Sequence, residues 1–147
     1  MNFNINIEPY YQDENSVLFC GDSAKVLKLF PDNCIDLTIT SPPYDDLRTY
    51  NGYSFPFEDI AKELYRVTKN GGVVVWVVND ATKNGSETLT SFKQAIYFKE
   101  IGFNVHDTMI YRKLNPPPNA GTRYHQSFEY MFVFSKTPGD TTKVEAF

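Results

Sequence analysis

Val73-Val74-Val75-Trp76-Val77-Val78 is an unbroken apolar run in which five of the six residues are β-branched. A half-solvated strand alternates polar and apolar residues, and a membrane-spanning helix takes about 20 apolar residues, so the run fits neither. It predicts a short strand covered on both faces, as in the sheets of α/β proteins. The flanking pattern agrees. Phe57, Ile60, Ala61, Leu64 and Tyr65 recur at helical spacing within residues 57–69, and Gly71-Gly72 is expected to close that helix. Residues 88–101 predict a second amphipathic helix, stopped by Gly102, after a polar loop over residues 79–87. Upstream, Val17-Leu18-Phe19-Cys20 reads as a short buried strand. Gly21-Asp22-Ser23 follows as a turn that caps a helix over residues 24–30, and Pro31-Asp32-Asn33 ends it. Ile35, Leu37 and Ile39 alternate with Asp36, Thr38 and Thr40, the period of a strand. Residues 103–112 and 128–135 read as strands, joined by a loop around Pro116-Pro117-Pro118. The order predicts an α/β fold with a mostly parallel sheet and helices on both faces. The last two strands have no helix between them and are expected to pair antiparallel at one edge. The 147 residues suit one domain, with residues 1–14 expected to be mobile.

The strand over residues 35–40 runs straight into Ser41-Pro42-Pro43-Tyr44. Prolines cannot continue a sheet ladder, so the motif sits at the strand's carboxyl end. In open α/β sheets ligands collect beyond that end. The residue types suit chemistry on the exocyclic amine of a nucleobase. Such an amine is a poor nucleophile because its lone pair is delocalised into the ring. Acceptors aimed at its N–H bonds draw it toward tetrahedral geometry, and preorganised polar groups of this sort stabilise charge that develops in the transition state. A rigid Pro-Pro pair holds a carbonyl outward, the Ser41 hydroxyl offers a second acceptor, and Tyr44 can stack on a base that has left its duplex. Two blander readings stand beside this one: a rigid turn, or a proline-rich ligand for a partner domain. The second needs an accessible stretch, and this one emerges from a core strand. Proline makes up about 5% of residues, so a small polar residue, two prolines and an aromatic in a row arise by chance in under about 1% of chains this long.

Bulk properties exclude some classes. Fourteen basic against 18 acidic residues leave a formal charge of −4, whereas a free-standing nucleic-acid binder is usually basic. Ten Tyr and 12 Phe allow either aromatic core packing or a base-stacking surface. Cys20 and Cys34 have no partner at metal-ligand spacing, so no metal is implied; they read as two buried free thiols in a reducing cytosol. Residues 1–11 lack the basic stretch and apolar run of a signal peptide, and a cytoplasmic protein without membrane contact is expected.

Taken with Ser41-Pro42-Pro43-Tyr44, the segment over residues 17–136 resembles the N-terminal catalytic half of a DNA amino-methyltransferase of the N4-cytosine/N6-adenine class, in the circular order where the catalytic motif precedes the cofactor motif. The resemblance implies a Rossmann-like S-adenosylmethionine methyltransferase sheet, incomplete in this chain. It implies methyl transfer to a flipped base of double-stranded DNA, as in restriction–modification. Ser41, Pro42, Pro43 and Tyr44 become the catalytic motif, and a serine in first position resembles the cytosine-N4 members more than the adenine ones. Asp22 would lie beside the adenosine of the cofactor; a helix cap is an equally compatible reading of it. Residues 128–136 resemble the late strand that ends the catalytic half. Carbon-5 methylation needs a cysteine nucleophile in a Pro-Cys loop, which neither Cys20 nor Cys34 supplies.

The chain departs from the family where a loop of the type Asp-Pro-Phe-x-Gly-Ser-Gly should approach the cofactor. Its one glycine pair, Gly71-Gly72, precedes a strand rather than following one. A basic target-recognition region does not follow Lys136. Truncation, a second polypeptide that supplies the rest, or a noncatalytic remnant would each account for this. The preferred expectation is a methyltransferase fragment completed by a chain carrying the cofactor loop and the DNA reader. A noncatalytic assembly module, as a homodimer or in a larger complex, is the competing one, with methyl transfer to RNA or protein a weaker third. Arg48, Tyr50 and Tyr53 line the base pocket or form a surface loop. His106 reads as structural, and Arg123, Tyr124 and His125 border the proline-rich loop where DNA would approach.

Overall fold

The structure, a computed structural model, describes residues 5, 7–43, 54–116 and 123–136. The elements in chain order are β1 (Tyr11–Gln12), β2 (Val17–Leu18), α1 (Ser23–Leu27), β3 (Ile35–Thr40), α2 (Phe57–Val67), β4 (Thr68–Val78), β5 (Thr82–Lys83), β6 (Ser86–Glu87), α3 (Thr90–Glu100), β7 (Asn104–Arg112) and β8 (Phe128–Ser135).

Four strands form the central sheet in the order β3-β4-β8-β7. β3 runs parallel to β4, while β8 is antiparallel to both β4 and β7. The strands β3, β4 and β7 therefore point one way, and the hairpin lies at one edge as expected. The expectation of a mostly parallel sheet holds for strand direction but not for ladders, since only one of the three is parallel. The reason is that β8 folds inward and β7 takes the edge. β8 is shielded along its whole length, whereas nearly all of β7 is exposed. A strand such as Phe128–Ser135, apolar on both sides, gains most between two neighbours.

Cross-strand partners share a face. Thr38, Val74 and Phe134 lie in register, as do Thr40, Trp76 and Phe132, and this face carries the helices. Ile60, Ala61 and Leu64 of α2 pack there with Ala95 and Phe98 of α3 and Ala24 of α1. Phe98 is the hub, with ring centroids 5.0 Å from Trp76, 4.6 Å from Phe134 and 5.7 Å from Phe103. Most of the described rings are thus core packing, of the edge-to-face kind that adds to area burial. The expectation of helices on both faces is not met; among the described residues all three lie on one. Period 3.6 makes a helix amphipathic but does not choose its side of the sheet.

Other local expectations change for identifiable reasons. The buried strand over residues 17–20 is absent from the sheet. Val17-Leu18 instead pairs with Tyr11-Gln12, because the Asp13 carboxylate accepts the backbone N–H groups of Asn15 and Ser16 and closes a tight turn. Cys20 is accordingly exposed and Cys34 half-buried, so the expected pair of buried thiols is not found. Of residues 1–14, those numbered 1–4 and 6 lie outside the described residues, and Tyr11-Gln12 forms β1. Helix α2 ends before Gly71-Gly72. Thr68 turns extended while its backbone N–H and its Oγ1 both bond to the Leu64 carbonyl, so a threonine does the terminating and the glycines belong to β4. Gly102 does end α3: its φ is +116°, and a Cβ there would sit 2.8 Å from the Tyr65 hydroxyl.

Candidate active site

Strand β3 ends at Thr40, whose backbone lies opposite Trp76, and Ser41-Pro42-Pro43 follows immediately. Pro42 is buried, Pro43 half-buried and Ser41 exposed. The prolines thus fix the backbone from within while Ser41 faces outward. Beside them opens a cavity of about 480 Å³. It is lined by Thr38, Thr40, Ser41, Pro42 and Pro43 from β3 and the segment after it, by Gly21 and Ser23 from the turn into α1, and by Phe55, Ile60 and Trp76. The fold therefore brings the two sequence motifs, about 20 residues apart, onto one cavity at the carboxyl end of a sheet strand, where ligands of open α/β sheets collect.

Two long-range ties set the walls. Arg66 projects from α2 and donates from Nη2 to the Leu27 carbonyl (2.8 Å) and from Nη1 to the Phe30 carbonyl (2.8 Å) and Asp32 Oδ1 (2.6 Å). Its Nε donates to Glu63 Oε2 (2.8 Å). The hydrogen bond it donates to Asp32, with Glu63 beside it, pushes the guanidinium pKa upward against the effect of burial. Leu27 and Phe30 both line the cavity, so Arg66 fixes that wall by its backbone. On the other side, Trp76 Nε1 donates to Gln94 Oε1 (2.8 Å) in the core, which locks the indole plane.

Asp22 is the N-cap of α1: its Oδ1 accepts the Ala24 N–H at 2.9 Å. The capping reading is thus realised, and the carboxylate stays half-buried beside the cavity's Gly21 and Ser23. Tyr44, Arg48, Tyr50 and Tyr53 lie outside the described residues. His106 sits where the β7–β8 register shifts and pairs with Asp107, away from the cavity. Arg123 donates to the Gly85 carbonyl and pairs with Glu87 at 3.5 Å, tying the β7–β8 connection to the β5–β6 hairpin, while Tyr124 is fully exposed. Phe19, Phe55 and Trp76 line the cavity without having been singled out from sequence. Trp76 was legible in principle, since a strand paired parallel to residues 35–40 places one of its residues beside Thr40.

A nucleoside-sized group fits this cavity. Aromatic and proline surfaces offer flat contact, and Ser23 and Ser41 offer hydroxyls; Asp22, between Gly21 and Ser23, is not itself among the lining residues. No glycine-lined loop that would cradle an amino-acid moiety adjoins it among the described residues. The described residues also contain no group of three or more His, Cys, Asp or Glu able to hold a metal, and no helix long and apolar enough to cross a membrane.

Residues 35–146 match the family described as DNA methylase, of the N6/N4 methyltransferase type. The chain is 70% identical over 105 residues to the orphan methyltransferase M.BamHII of Bacillus amyloliquefaciens, covering 71% of this chain and 40% of that protein. It is 30% identical over 151 residues to the type II beta methyltransferase M.BslI of Bacillus sp. (strain NEB-606), covering 85% of this chain and 17% of that protein. Its fold resembles the cytosine-N4-specific PvuII DNA methyltransferase with a TM-score of 0.73 at 22% identity, over 91% of this chain and 54% of that one. It also resembles a DNA modification methylase of Thermus thermophilus, solved in complex with S-adenosyl-L-methionine, with a TM-score of 0.64 at 25% identity, over 81% of this chain and 54% of that one. The chain thus spans about half the length of these solved structures. With three quarters of its sequence inside the family match, the chain belongs to the DNA methylase family of N6/N4 amino-methyltransferases.

Proposed function

We propose that this chain is the catalytic half of an S-adenosylmethionine-dependent DNA methyltransferase that modifies an exocyclic amine, cytosine N4 in preference to adenine N6. The observation that carries the reading is the meeting of Ser41-Pro42-Pro43 and the Gly21–Ser23 turn on one cavity. S-adenosylmethionine supplies, when bound, a methyl group on a positively charged sulfur; Gly21, Asp22 and Ser23 are the residues of this chain that would hold its adenosine end. The rest is done by the motif. The base, flipped from double-stranded DNA, presents its amine to the Ser41 hydroxyl and the Pro42 carbonyl, which accept its N–H bonds. Tyr44 stacks on the ring, and Arg48, Tyr50 and Tyr53 flank it. Pro42 is buried, and its ring fixes the backbone that carries the carbonyl. The net charge of −4 leaves phosphate binding and site recognition to a basic region outside these residues, carried with the glycine-rich cofactor loop by a completing segment.

The test is to co-express the full chain with the part of M.BamHII that lies outside the matched region. Labelled methyl groups transferred to DNA are then measured, and the digest is resolved into nucleosides. N4-methylcytosine is expected. Ser41→Ala should lower transfer about 100-fold, the usual scale for losing one preorganised polar contact. Tyr44→Ala should lower it further by weakening the flipped state. Retained transfer in both variants would overturn these roles, and N6-methyladenine would overturn the cytosine preference.

A further inference from the structure

Strand β7 is the sheet strand farthest from the catalytic motif, and its outer edge is unguarded. Among the described residues it pairs with β8 alone, although it is nine residues long. Its ladder to β8 shifts register only between Val105 and Asp107, so residues 107–112 form a regular edge. That stretch carries neither proline nor lysine, the usual guards against strand addition. Exposed apolar side chains stand on both its faces: Ile110 (51% exposed) on the helix face, Met109 and Tyr111 (52% exposed) on the other. Helix α3 shows the same excess. Ser91, Gln94, Ala95 and Phe98 are buried, yet Phe92 and Ile96, four residues apart, form a second apolar stripe, with Ile96 58% exposed. A helix with one buried face is expected to be polar elsewhere. Tyr97, on the other flank of α3, meets Phe57 of α2, so the stripe lies on the flank toward β7. The Phe92 ring lies 4.9 Å from that of Tyr130, the cross-strand partner of Ile110, which sets Phe92 level with Ile110.

A second copy of the chain fits this edge. A twofold axis perpendicular to the sheet pairs β7 antiparallel with itself and keeps both α3 helices on one face. Residues directly opposite each other share a face. With the axis at Ile110, the two Ile110 side chains oppose each other, and Met109 opposes the partner's Tyr111. Asp107 then opposes the partner's Lys113, a residue that Glu129 holds on the same face. Moving the axis to Met109 sets Asp107 against the partner's Tyr111 and loses the charge pair. Moving it to Tyr111 sets Ile110 against the partner's Arg112. The helices agree with the strands. Helix α3 packs on both β7 and β8, so across the join two such helices lie about two strand spacings, or about 10 Å, apart. That is the distance at which helices pack, with Phe92 and Ile96 between them. A segment that completes the cavity has no use for this edge, because β8 and β4 separate β7 from β3.

We infer that two copies of this chain join through β7, antiparallel about an axis at Ile110, with the Phe92–Ile96 stripes of their α3 helices packed over the join. The two central sheets become one of eight strands, and each copy keeps its cavity at an outer end, open to its own substrate. The surface is separate from the cavity, so it stands or falls independently of the methyltransferase reading.

The test follows the full chain alone by light scattering and amide hydrogen exchange over a dilution series. A dimer is expected, with the amides of residues 107–112 losing protection as it is diluted apart. Ile110→Lys sets two like charges against each other on the axis and should weaken the dimer at least about 10-fold. Ile96→Lys should weaken it too, whereas Ile39→Lys, on exposed β3, should leave it unchanged. In a Cys20→Ser background, Ile110→Cys should cross-link the two copies on oxidation, because antiparallel partners lie within disulfide reach, and Thr108→Cys should not. Exchange on the unaltered chain gives the answer even if a variant fails to fold. A chain that stays monomeric, a dimer that protects residues 35–40 instead, or cross-linking through Thr108→Cys alone would overturn the inference.

Discussion

The two ends of the central sheet are built differently. At the carboxyl end of β3 the chain leaves a cavity of about 480 Å³, walled by aromatic rings, prolines and a few hydroxyls. At the opposite end charged side chains are drawn into hydrogen bonds with backbone. Lys136, just past β8, donates to Asn33 Oδ1 (2.8 Å), the Arg66 carbonyl (3.3 Å) and the Thr68 carbonyl (2.8 Å), and its Nζ lies 4.8 Å from the Tyr65 ring centroid. Partial burial pulls its pKa down, against the nearby Asp32. Lys69 pairs with Asp36 at 2.7 Å. Arg66 belongs to this braced end, yet two of the carbonyls it holds are those of Leu27 and Phe30 on the cavity wall. The lesson is a division of labour with a single connecting part: the cavity's shape is held from the far end of the sheet, where no ligand has to enter.

Three tests would break or sharpen that contrast. Arg66→Ala removes four hydrogen bonds, two of them to backbone carbonyls, and it should lower unfolding free energy in urea by about 2 kcal/mol or more. Arg66→Lys should recover only part of this, because an ammonium cannot span the fork. If Arg66→Ala were as stable as the parent, the braced end would not be a brace. At the cavity end the effects should be smaller and separable. Asp22→Ala should cost about 1 kcal/mol through loss of the α1 cap, while Asp22→Asn should cost only a few tenths because asparagine caps as well. If Asp22 also meets the cofactor, the asparagine variant of the completed enzyme should bind S-adenosylmethionine more weakly by calorimetry despite its nearly unchanged stability. Equal binding would leave Asp22 a cap and nothing more. The mildest test concerns the thiols. Cys20 is exposed, whereas burial pushes the Cys34 thiol pKa up. Iodoacetamide near about pH 8, where ordinary thiols begin to ionise, should therefore label Cys20 first by mass spectrometry. The reverse order would place the wrong residue at the surface.

Much of this was legible in the residues. Strands β3 and β8 occupy the spans that period and composition indicate, because a proline pair stops one and polar loop flanks the other. The Asp22 cap and the placement of Ser41-Pro42-Pro43 at a strand end follow from local stereochemistry, which sequence records well. What failed depends on relations between distant segments. The two-sided apolar pattern of residues 128–135 favours an inner place for β8, but which strand it meets there is set by residues far away in the chain. The apolar run 17–20 resembles a core strand, but a tight turn at Asp13 claims it first. The cavity's aromatic wall draws on Phe19, Phe55 and Trp76, which only the assembled sheet brings together.

The inward position of β8 has a consequence for the order of events in folding. Of the four sheet strands it comes last in the chain, yet it pairs on both sides, with β4 and with β7. Until residues 128–135 arrive, β7 has no neighbour and one flank of β4 stays unpaired. Both ladders therefore form late and together, and the one to β4 closes a loop of tens of residues, the slow class of folding event. A ribosome that has released everything up to Arg112 holds a nascent chain with two unpaired strand edges and no ladder between them, a state open to wrong pairing.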